Sequence, residues 1–266
     1  MNPDWLHLHE GEAPLLVSLP HTGTLLPEPY AERFVSRERA LRDTDWWIDR
    51  LYDFAAGLGA TVLRTAVSRS IVDVNRDPSG ASLYPGQATT ELCPTTTFDG
   101  RPLYRDGAEP DAEEVGRRKM AYHAPYHDEL ARQVVRLRER HARIVVYDCH
   151  SIRSAIPRLF PGELPHFNVG TNGGRSCDGA VTALVERICD ASAFSRVTDG
   201  RFKGGWITRS LGRPEAGVHA VQMELACRGY MDESEDDVPA PFDEARAAPM
   251  RAVLVPLLTA LRDWAG

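Results

Sequence analysis

Three side chains that can bind a metal or move a proton each follow an apolar run that we predict to be a β-strand. They are His21 after residues 15–19, His150 after residues 144–147 and Glu224 after residues 218–222. In an open α/β sheet, ligands bind where the carboxyl ends of the parallel strands meet. Two imidazoles, a carboxylate ligand and a second, free carboxylate are what a hydrolytic zinc site requires. We therefore predict one Zn²⁺ per chain, with another divalent metal as the alternative.

The carboxylate ligand is expected from three aspartates at the start of a predicted helix, in residues 43–49 (DTDWWID). Helix capping and the helix dipole account for one acidic residue at such a position, but less well for three. Asp45 lies beside the loop, and we predict it as the ligand together with His21 and His150. Asp49 lies one turn further and could orient a ligand instead. Asp43 and Asp49 remain alternatives to Asp45.

An amide and a guanidinium end another predicted strand, at Asn75 and Arg76. This pair suits bidentate capture of a substrate carboxylate. An ordinary turn with an arginine–aspartate salt bridge explains the same residues equally well. Arg69 and Arg153 bring further guanidinium groups to the same strand ends.

Three other patterns are weaker. His123 and His127 have i, i+4 spacing without the glutamate of HExxH, so we expect them on a helix surface or behind a metal ligand. Residues 170–174 (GTNGG) follow a strand but fit neither GxGxxG nor GxxxxGK[ST], which makes a nucleotide site the minority interpretation. The pair Gly204-Gly205 is predicted to mark a close backbone approach or a mobile loop.

The predicted elements alternate between strand and helix, which favours one α/β domain over residues 1–266 with a mostly parallel or mixed sheet flanked by helices. Strands are expected at 15–19, 60–67, 70–74, 143–149, 167–169 and 218–225. Helices are expected at 46–58, 111–140, 178–191 and 242–264, with interruptions at Pro125, Pro249 and Pro256. Residues 79–107 form a long excursion, of the kind that shapes the mouth of an active site.

Composition narrows the class of partner. The 266 residues carry a net charge of −7 without a basic block, which argues against a nucleic-acid partner. No apolar run is long enough for a membrane span, and residues 1–14 lack the apolar core of a signal peptide. Five widely spaced cysteines without a CxxC pair predict reduced thiols in a cytoplasmic protein. The composition carries no signal for an oligomeric state.

Seven segments, taken in order along nearly the whole chain, resemble the N-formylglutamate amidohydrolase (N-formylglutamate deformylase) family. They are residues 18–23 (SLPHTG), 43–49 (DTDWWID), 68–77 (SRSIVDVNRD), 147–151 (YDCHS), 168–177 (NVGTNGGRSC), 203–209 (KGGWITR) and 221–225 (VQMEL). The family is related to zinc carboxypeptidases and aspartoacylase-like amidohydrolases. The resemblance implies a single α/β domain with a central mixed sheet and a mononuclear zinc.

The resemblance also implies roles for individual residues. His21 and His150 match the two histidine ligands, and Glu224 matches the glutamate that acts as general base and acid. Asn75 and Arg76 match a pair that holds a substrate carboxylate. The carboxypeptidase relatives carry their acidic ligand three residues after the first histidine, where this chain has Thr24. The third ligand must therefore come from elsewhere, as Asp45 would.

The reaction implied by the resemblance is hydrolysis of N-formyl-L-glutamate to formate and L-glutamate in histidine degradation. A dianionic substrate needs a locally positive pocket in this acidic protein, and the candidate arginines are Arg69, Arg76, Arg153, Arg175 and Arg209. One alternative is an amidase or peptidase acting on another N-acyl amino acid or a cell-wall peptide. The other is a non-catalytic protein that binds an acidic metabolite, although a binding protein has no need of a general base.

Overall fold

Seven strands form one mixed sheet in the computed structural model, which describes residues 3–233 and 238–266. The strands are β1 (Leu6–His9), β2 (Leu15–Leu19), β3 (Thr61–Thr65), β4 (Ile144–Ile152), β5 (Phe167–Gly170), β6 (Arg196–Thr198) and β7 (Val218–Ala226). Their order across the sheet is β1-β3-β2-β4-β7-β5-β6. Strands β3, β2, β4 and β7 are mutually parallel, whereas β1 and β5 run antiparallel to their central neighbours. The predicted α/β fold with a mixed sheet is confirmed.

Helices cover both faces of this sheet. They are α1 (Arg37–Ala40), α2 (Ile48–Leu51), α3 (Ala112–Arg118), α4 (Ala124–Arg138), α5 (Gly179–Asp190), α6 (Trp206–Leu211) and α7 (Glu244–Ala265). Helices α5 and α7 begin at aspartate caps, since Asp178 accepts a hydrogen bond from the amide of Ala180 and Asp243 accepts from those of Ala245 and Arg246. Within the described residues, none of these helices combines the length and apolar character that a bilayer crossing requires.

The two central strands are buried over their whole length, as expected for parallel strands with helices on both faces. Val145 and Tyr147 pack in the hydrophobic cluster that contains α5 and α7. Ile144 and Val146 point the opposite way, into the cluster that contains α4 and α6. Alternation along the strand therefore builds both cores from one apolar run.

Two predicted elements, the helix at 46–58 and the strand at 70–74, differ from the observed secondary structure. The expected helix at 46–58 is only the short α2 followed by a 3₁₀ helix at Asp53–Leu58. Trp47 adopts a left-handed backbone conformation with φ of 64°, so α2 begins only at Ile48. Residues 70–74 form no strand. The amide of Ile71 bonds to the carbonyl of Ser68 in a turn, and that of Asp73 bonds to the carbonyl of Leu92.

The prolines interrupt less than predicted. Helix α7 runs continuously through Pro249 and Pro256, and its buried leucines pack in the main core, which offsets the lost helical hydrogen bonds. Pro125 lies in the first turn of α4, where a missing amide proton costs little, directly after a π-helical turn at Lys119–His123. All five cysteines are buried and none is in a disulfide.

Candidate active site

The register of β4 and β7 brings four polar side chains to one face of the sheet. Asp148 lies beside Gln222 and His150 lies beside Glu224 in this parallel pair. Residues two apart in a strand point to the same side, so all four face the side covered by α4 and α6. The strand predicted at 143–149 stops just before His150, whereas β4 continues through it; Glu224 lies inside β7, as it lies inside the strand predicted at 218–225.

Three potential metal ligands meet at this end of the sheet. His21 follows β2, and its carbonyl accepts a hydrogen bond from the amide of Asp45 in the turn before α2. The Nδ1 atom of His150 lies 3.1 Å from Nδ1 of His21 and 3.1 Å from Oδ2 of Asp45. The remaining separation, His21 Nδ1 to Asp45 Oδ2, is 3.6 Å. We call His21, Asp45 and His150 the metal triad.

These distances fit a small cation. Zinc bonds of about 2.0–2.2 Å at tetrahedral angles separate the ligand atoms by about 3.3–3.6 Å. Among the described residues, the second carboxylate oxygen of Asp45 is buried without a hydrogen-bond partner, and its one cationic neighbour, Arg69, is 3.6 Å away. A buried, unbonded carboxylate oxygen is costly unless a cation neutralises it. The donor set therefore fits a divalent metal.

The outer nitrogen of each imidazole faces a further carboxylate. Nε2 of His21 lies 2.6 Å from Oδ1 of Asp73, and Nε2 of His150 lies 3.0 Å from Oδ2 of Asp148. Arg69 lies 3.1 Å from Nδ1 of His21 and can only donate, so the proton of His21 is on Nε2 and goes to Asp73. Carboxylates in this position orient ligand imidazoles and raise their basicity.

Buried carboxylates make the triad strongly negative. Burial alone would lower the pKa of His150, but Asp148 and Asp45 outweigh it and hold that pKa well above its usual value. Burial acts to raise the pKa of Asp45, yet hydrogen bonding to His150 and His21 brings it below its usual value. The site thus favours positive charge between these side chains, which either a proton or a metal cation can supply.

The other two aspartates of residues 43–49 lie outside the triad. Asp43 accepts a hydrogen bond from the amide of Phe98 at 2.7 Å and one from Arg153 at 3.1 Å. Asp49 lies near the surface and pairs with Arg64 at 2.8 Å. Of the three candidates, Asp45 is the one placed among the histidines.

Glu224 is buried beside the triad and opens into the same cavity as both histidines. Its Oε2 accepts a hydrogen bond from Gln222 at 3.2 Å. Burial holds the pKa of Glu224 above its usual value, against the opposing charges of His150 and Arg69. Cations bound nearby would bring this pKa down and favour the proton-accepting form.

The central cavity, as we call this space, has a positive wall. It is lined by the triad histidines, Glu224 and three arginines, which are Arg69, Arg76 and Arg201. Arg76 donates to the carbonyl and the hydroxyl of Thr90 at 3.1 and 3.0 Å, and it lies 3.7 Å from Asp73. The predicted long excursion supplies part of the wall through residues Tyr84, Ala88, Thr89, Thr90 and Phe98.

Asn75 also lines the cavity, but its side-chain amide already forms hydrogen bonds with other groups of the protein. Its Nδ2 lies 2.8 Å from Nε2 of His150 and 3.2 Å from Asp148, and its Oδ1 accepts from the amide of Ile207. Gly205 is needed beside it, since a Cβ there would lie 2.4 Å from the Asn75 amide nitrogen. The predicted close approach at Gly204-Gly205 is confirmed.

The remaining predicted arginines lie outside the lining of the central cavity. Arg153 pairs with Asp43 in a neighbouring cavity. Arg209 donates to the carbonyls of Gly204 and Leu83. Arg175, nearer the surface, donates to the side chain of Asn172 at 3.0 Å.

Comparison with known proteins decides the family. Residues 13–231 match the sequence profile of the N-formylglutamate amidohydrolase family. This chain belongs to that family. An N-formylglutamate deformylase from Pseudomonas aeruginosa is 48% identical over 260 residues, covering 97% of this chain and 96% of that protein. Another, from Pseudomonas putida, is 45% identical with the same coverage.

Solved structures share the fold. An N-formylglutamate amidohydrolase from Ralstonia eutropha JMP134 superposes with a TM-score of 0.81 and 23% identity, over 98% of both chains. A gene product from Agrobacterium tumefaciens gives a TM-score of 0.70 with 15% identity, over 97% of this chain and 94% of that one. The mixed sheet with helices on both faces is therefore the architecture of solved relatives.

Sequence reasoning missed four side chains of this family member's site. They are Asp73, Asp148, Gln222 and Arg201. Asp148 and Gln222 could have been found, because each lies two residues before a predicted site residue in the same strand. Arg201 carried no local signal, since it lies in a loop without periodicity.

The two helical histidines support the site from behind. His123 is buried and donates Nε2–H to the carbonyl of Arg76 at 2.9 Å. His127 donates to the carbonyl of Val74 at 2.7 Å, and the two rings stack with centroids 4.4 Å apart. The expectation of a surface position is wrong for His123. The alternative, a position behind the site, agrees with these bonds, which hold the main chain of the segment that carries Arg76.

Proposed function

We propose that this chain hydrolyses N-formyl-L-glutamate to formate and L-glutamate, using one Zn²⁺ held by the metal triad. The observation that carries the proposal is a triad of ligands next to a buried glutamate, in a cavity lined by three arginines. The names of the Pseudomonas relatives support the same substrate. We assign the reaction to histidine degradation in the cytoplasm, where free thiols like these five persist.

Zinc is the preferred metal because two imidazoles and one carboxylate are a common ligand set of catalytic zinc. When bound, zinc supplies Lewis acidity that polarises a carbonyl oxygen and lowers the pKa of water. His21 and His150 would hold it through Nδ1, with Asp73 and Asp148 fixing the two rings. Asp45 would complete the set and is itself oriented by the amide of Ser151 at 3.1 Å.

Glu224 is placed to move the protons. Its carboxylate accepts a proton from the attacking water and returns it to the amide nitrogen as the carbon–nitrogen bond breaks. Gln222 holds one of its oxygens, which limits the side chain to orientations that face the cavity. Formate leaves with the former carbonyl carbon, and the amino group of glutamate is released.

Two of the cavity arginines have different roles in this proposal, Arg69 at the carbonyl oxygen and Arg76 at a substrate carboxylate. Arg69 lies beside His21 and donates at 2.6 Å to Asp73, so its position next to the triad suits a negative charge developing on the carbonyl oxygen. Arg76 lies further along the wall, and its fork suits a carboxylate of the substrate. A substrate with two carboxylates still requires a second anion site.

The proposal is tested by formate release together with metal analysis of the purified protein. N-formyl-, N-acetyl- and N-succinyl-L-glutamate are compared side by side, because the acyl group is selected by the space beside the triad. We expect formate release from the formyl compound, zinc near one equivalent per chain, and loss of activity on chelation. Faster hydrolysis of another acyl group would reassign the substrate, and glutamate binding without any hydrolysis would leave a binding protein.

A further inference from the structure

Arg201 is held in the wall of the central cavity by main-chain carbonyls and aromatic rings. Its Nε donates to the carbonyl of Leu159 at 2.9 Å and its Nη2 donates to that of Ala88 at 2.8 Å. The guanidinium lies 5.3 and 5.2 Å from the ring centroids of Tyr84 and Phe202. Over residues 3–233 and 238–266, its Nη1 has no hydrogen-bond partner. The group is therefore rigidly placed with one nitrogen available.

Arg201 differs from the other two arginines of this cavity in its charge balance. Arg69 forms ion pairs with Asp73 at 2.6 Å and with Asp45 at 3.6 Å. Arg76 lies 3.7 Å from Asp73. No carboxylate of the described chain lies within ion-pair distance of Arg201. Burial lowers the pKa of Arg201 and the charge of Arg76 adds to this effect, whereas Tyr84 and Glu224 oppose it without cancelling it.

An arginine that forms no ion pair in a partly desolvated cavity is suited to bind an anion. Two guanidiniums close enough to perturb each other repel until a negative charge enters between or beside them. A planar fork already fixed by two hydrogen bonds loses little entropy when it binds a carboxylate. The two neighbouring aromatic rings reduce access of water and strengthen such a contact.

We propose that Arg201 binds the side-chain carboxylate of the substrate and makes the enzyme selective for an acidic over a neutral amino acid. The inference rests on the proposed function and extends it, since it assigns one arginine to each substrate carboxylate. Arg76, nearer Asp73 and the triad, takes the carboxylate next to the formyl amide. Arg201 takes the distal one, and a neutral side chain leaves its charge uncompensated.

The test compares N-formyl-L-glutamate with N-formyl-L-glutamine, which has the same shape but no distal charge. In the variant Arg201→Gln we expect kcat/KM for the formylglutamate to fall about 30-fold or more, with little change for formylglutamine. Arg209→Gln is the matched control. Arg209 also lies against Tyr84, at 4.9 Å, and bonds main-chain carbonyls, but it is outside the cavity lining. In this control variant the ratio of kcat/KM for formylglutamate to kcat/KM for formylglutamine should stay at its wild-type value.

Equal losses for both substrates, or a glutamate preference that survives in Arg201→Gln, would overturn the assignment. Thermal unfolding of both variants checks the fold. If the glutamine variant unfolds, Arg201→Lys retains the charge without the fork and should show a smaller loss of the same selectivity. No formate release by the wild type would instead refute the proposed function. The affinities of L-glutamate and L-glutamine, measured by calorimetry in the wild type and in Arg201→Gln, then test the role of Arg201 by itself. A preference for glutamate that is lost in the variant supports that role, and an unchanged preference contradicts it.

Discussion

At the scale of single residues, each imidazole of the metal triad turns Nδ1 toward the other triad residues and Nε2 toward a buried carboxylate. Asp73 takes the outer nitrogen of His21 and Asp148 takes that of His150. Neither aspartate is exposed to solvent, so each negative charge has to be met by nearby positive groups. The two carboxylates therefore orient the rings and increase the affinity of the triad for a cation.

Replacing Glu224 by glutamine tests its assignment to proton transfer. Glutamine keeps the shape and the contact with Gln222 but cannot accept a proton from water. General acid–base groups contribute about 10²–10⁴-fold in rate, and we expect kcat to fall at least in that range. Metal content, measured on the same preparation, should stay at the wild-type level. Near-normal turnover would exclude the role, and loss of metal would move Glu224 among the ligands.

At the scale of elements, the turn that carries Asp73 and Arg76 is held from two sides. Helix α4 and the π-helical turn before it hold this segment through His127 and His123, which donate to the carbonyls of Val74 and Arg76. The start of α6 holds it as well, since the amide of Trp206 donates to the carbonyl of Asn75 at 3.1 Å. A segment without regular hydrogen bonding thereby becomes a precise part of the site.

The free energy of unfolding should depend on pH through His127. Burial and the neighbouring His123 lower its pKa to about 4, from an unfolded value of 6.5. As pH falls from about 6.5 to about 4, the unfolded chain gains a proton that the folded chain does not, so stability falls, by about 3 kcal/mol at most. Denaturant unfolding across this range, for wild type and His127→Gln, measures it. The glutamine still donates to Val74, and an unchanged pH slope would contradict the prediction.

The contact between α6 and the turn should be sensitive to one methyl group. In Gly205→Ala the new Cβ would lie 2.4–2.6 Å from the side-chain amide atoms of Asn75, which donates to Asp148 and accepts from the amide of Ile207. Overpacking of this kind costs about 1–3 kcal/mol and should displace Asn75 from Asp148. The melting temperature and the rate of formate release should both fall. Gly116→Ala in α3 is the control, because its Cβ meets no atom within 4 Å.

At the scale of the whole molecule, the site joins segments from across the sheet. Strands β2, β4 and β7 bring their carboxyl ends together, and the described chain crosses from one to the next through long connections. The protein is net acidic, yet three arginines face the central cavity. Local arrangement, rather than overall charge, thus produces a cavity suited to an anion.

Metal removal should destabilise the whole fold. Four buried carboxylates lie in or beside the triad, at Asp45, Asp73, Asp148 and Glu224, and a bound cation relieves their repulsion only in the folded state. A ligand at 1,000 times its Kd stabilises by about 4 kcal/mol, so chelation should lower Tm and zinc should restore it. The variant His150→Ala, with one ligand gone, should respond far less to either treatment. Equal responses would show that the metal acts at another place.

Much of the site could be predicted from local sequence, because its anchors lie on strong strands. The apolar runs before His150 and Glu224 determine the strands, and alternation along a strand determines which side chains share a face. His21 is fixed in the same way by the run that forms β2. The segments that resemble N-formylglutamate amidohydrolases predicted the family, and the match of residues 13–231 to that family confirms this prediction.

Other features were decided only by tertiary structure, because they depend on contacts between segments distant in the chain. Asp45 rather than Asp43 or Asp49 joins the histidines, since the turn before α2 bonds to the carbonyl of His21. Arg201 enters the cavity because carbonyls of Leu159 and Ala88, far away in sequence, hold its guanidinium. Periodicity reports which face of an element is buried, whereas the neighbour that a loop side chain meets depends on how the elements pack.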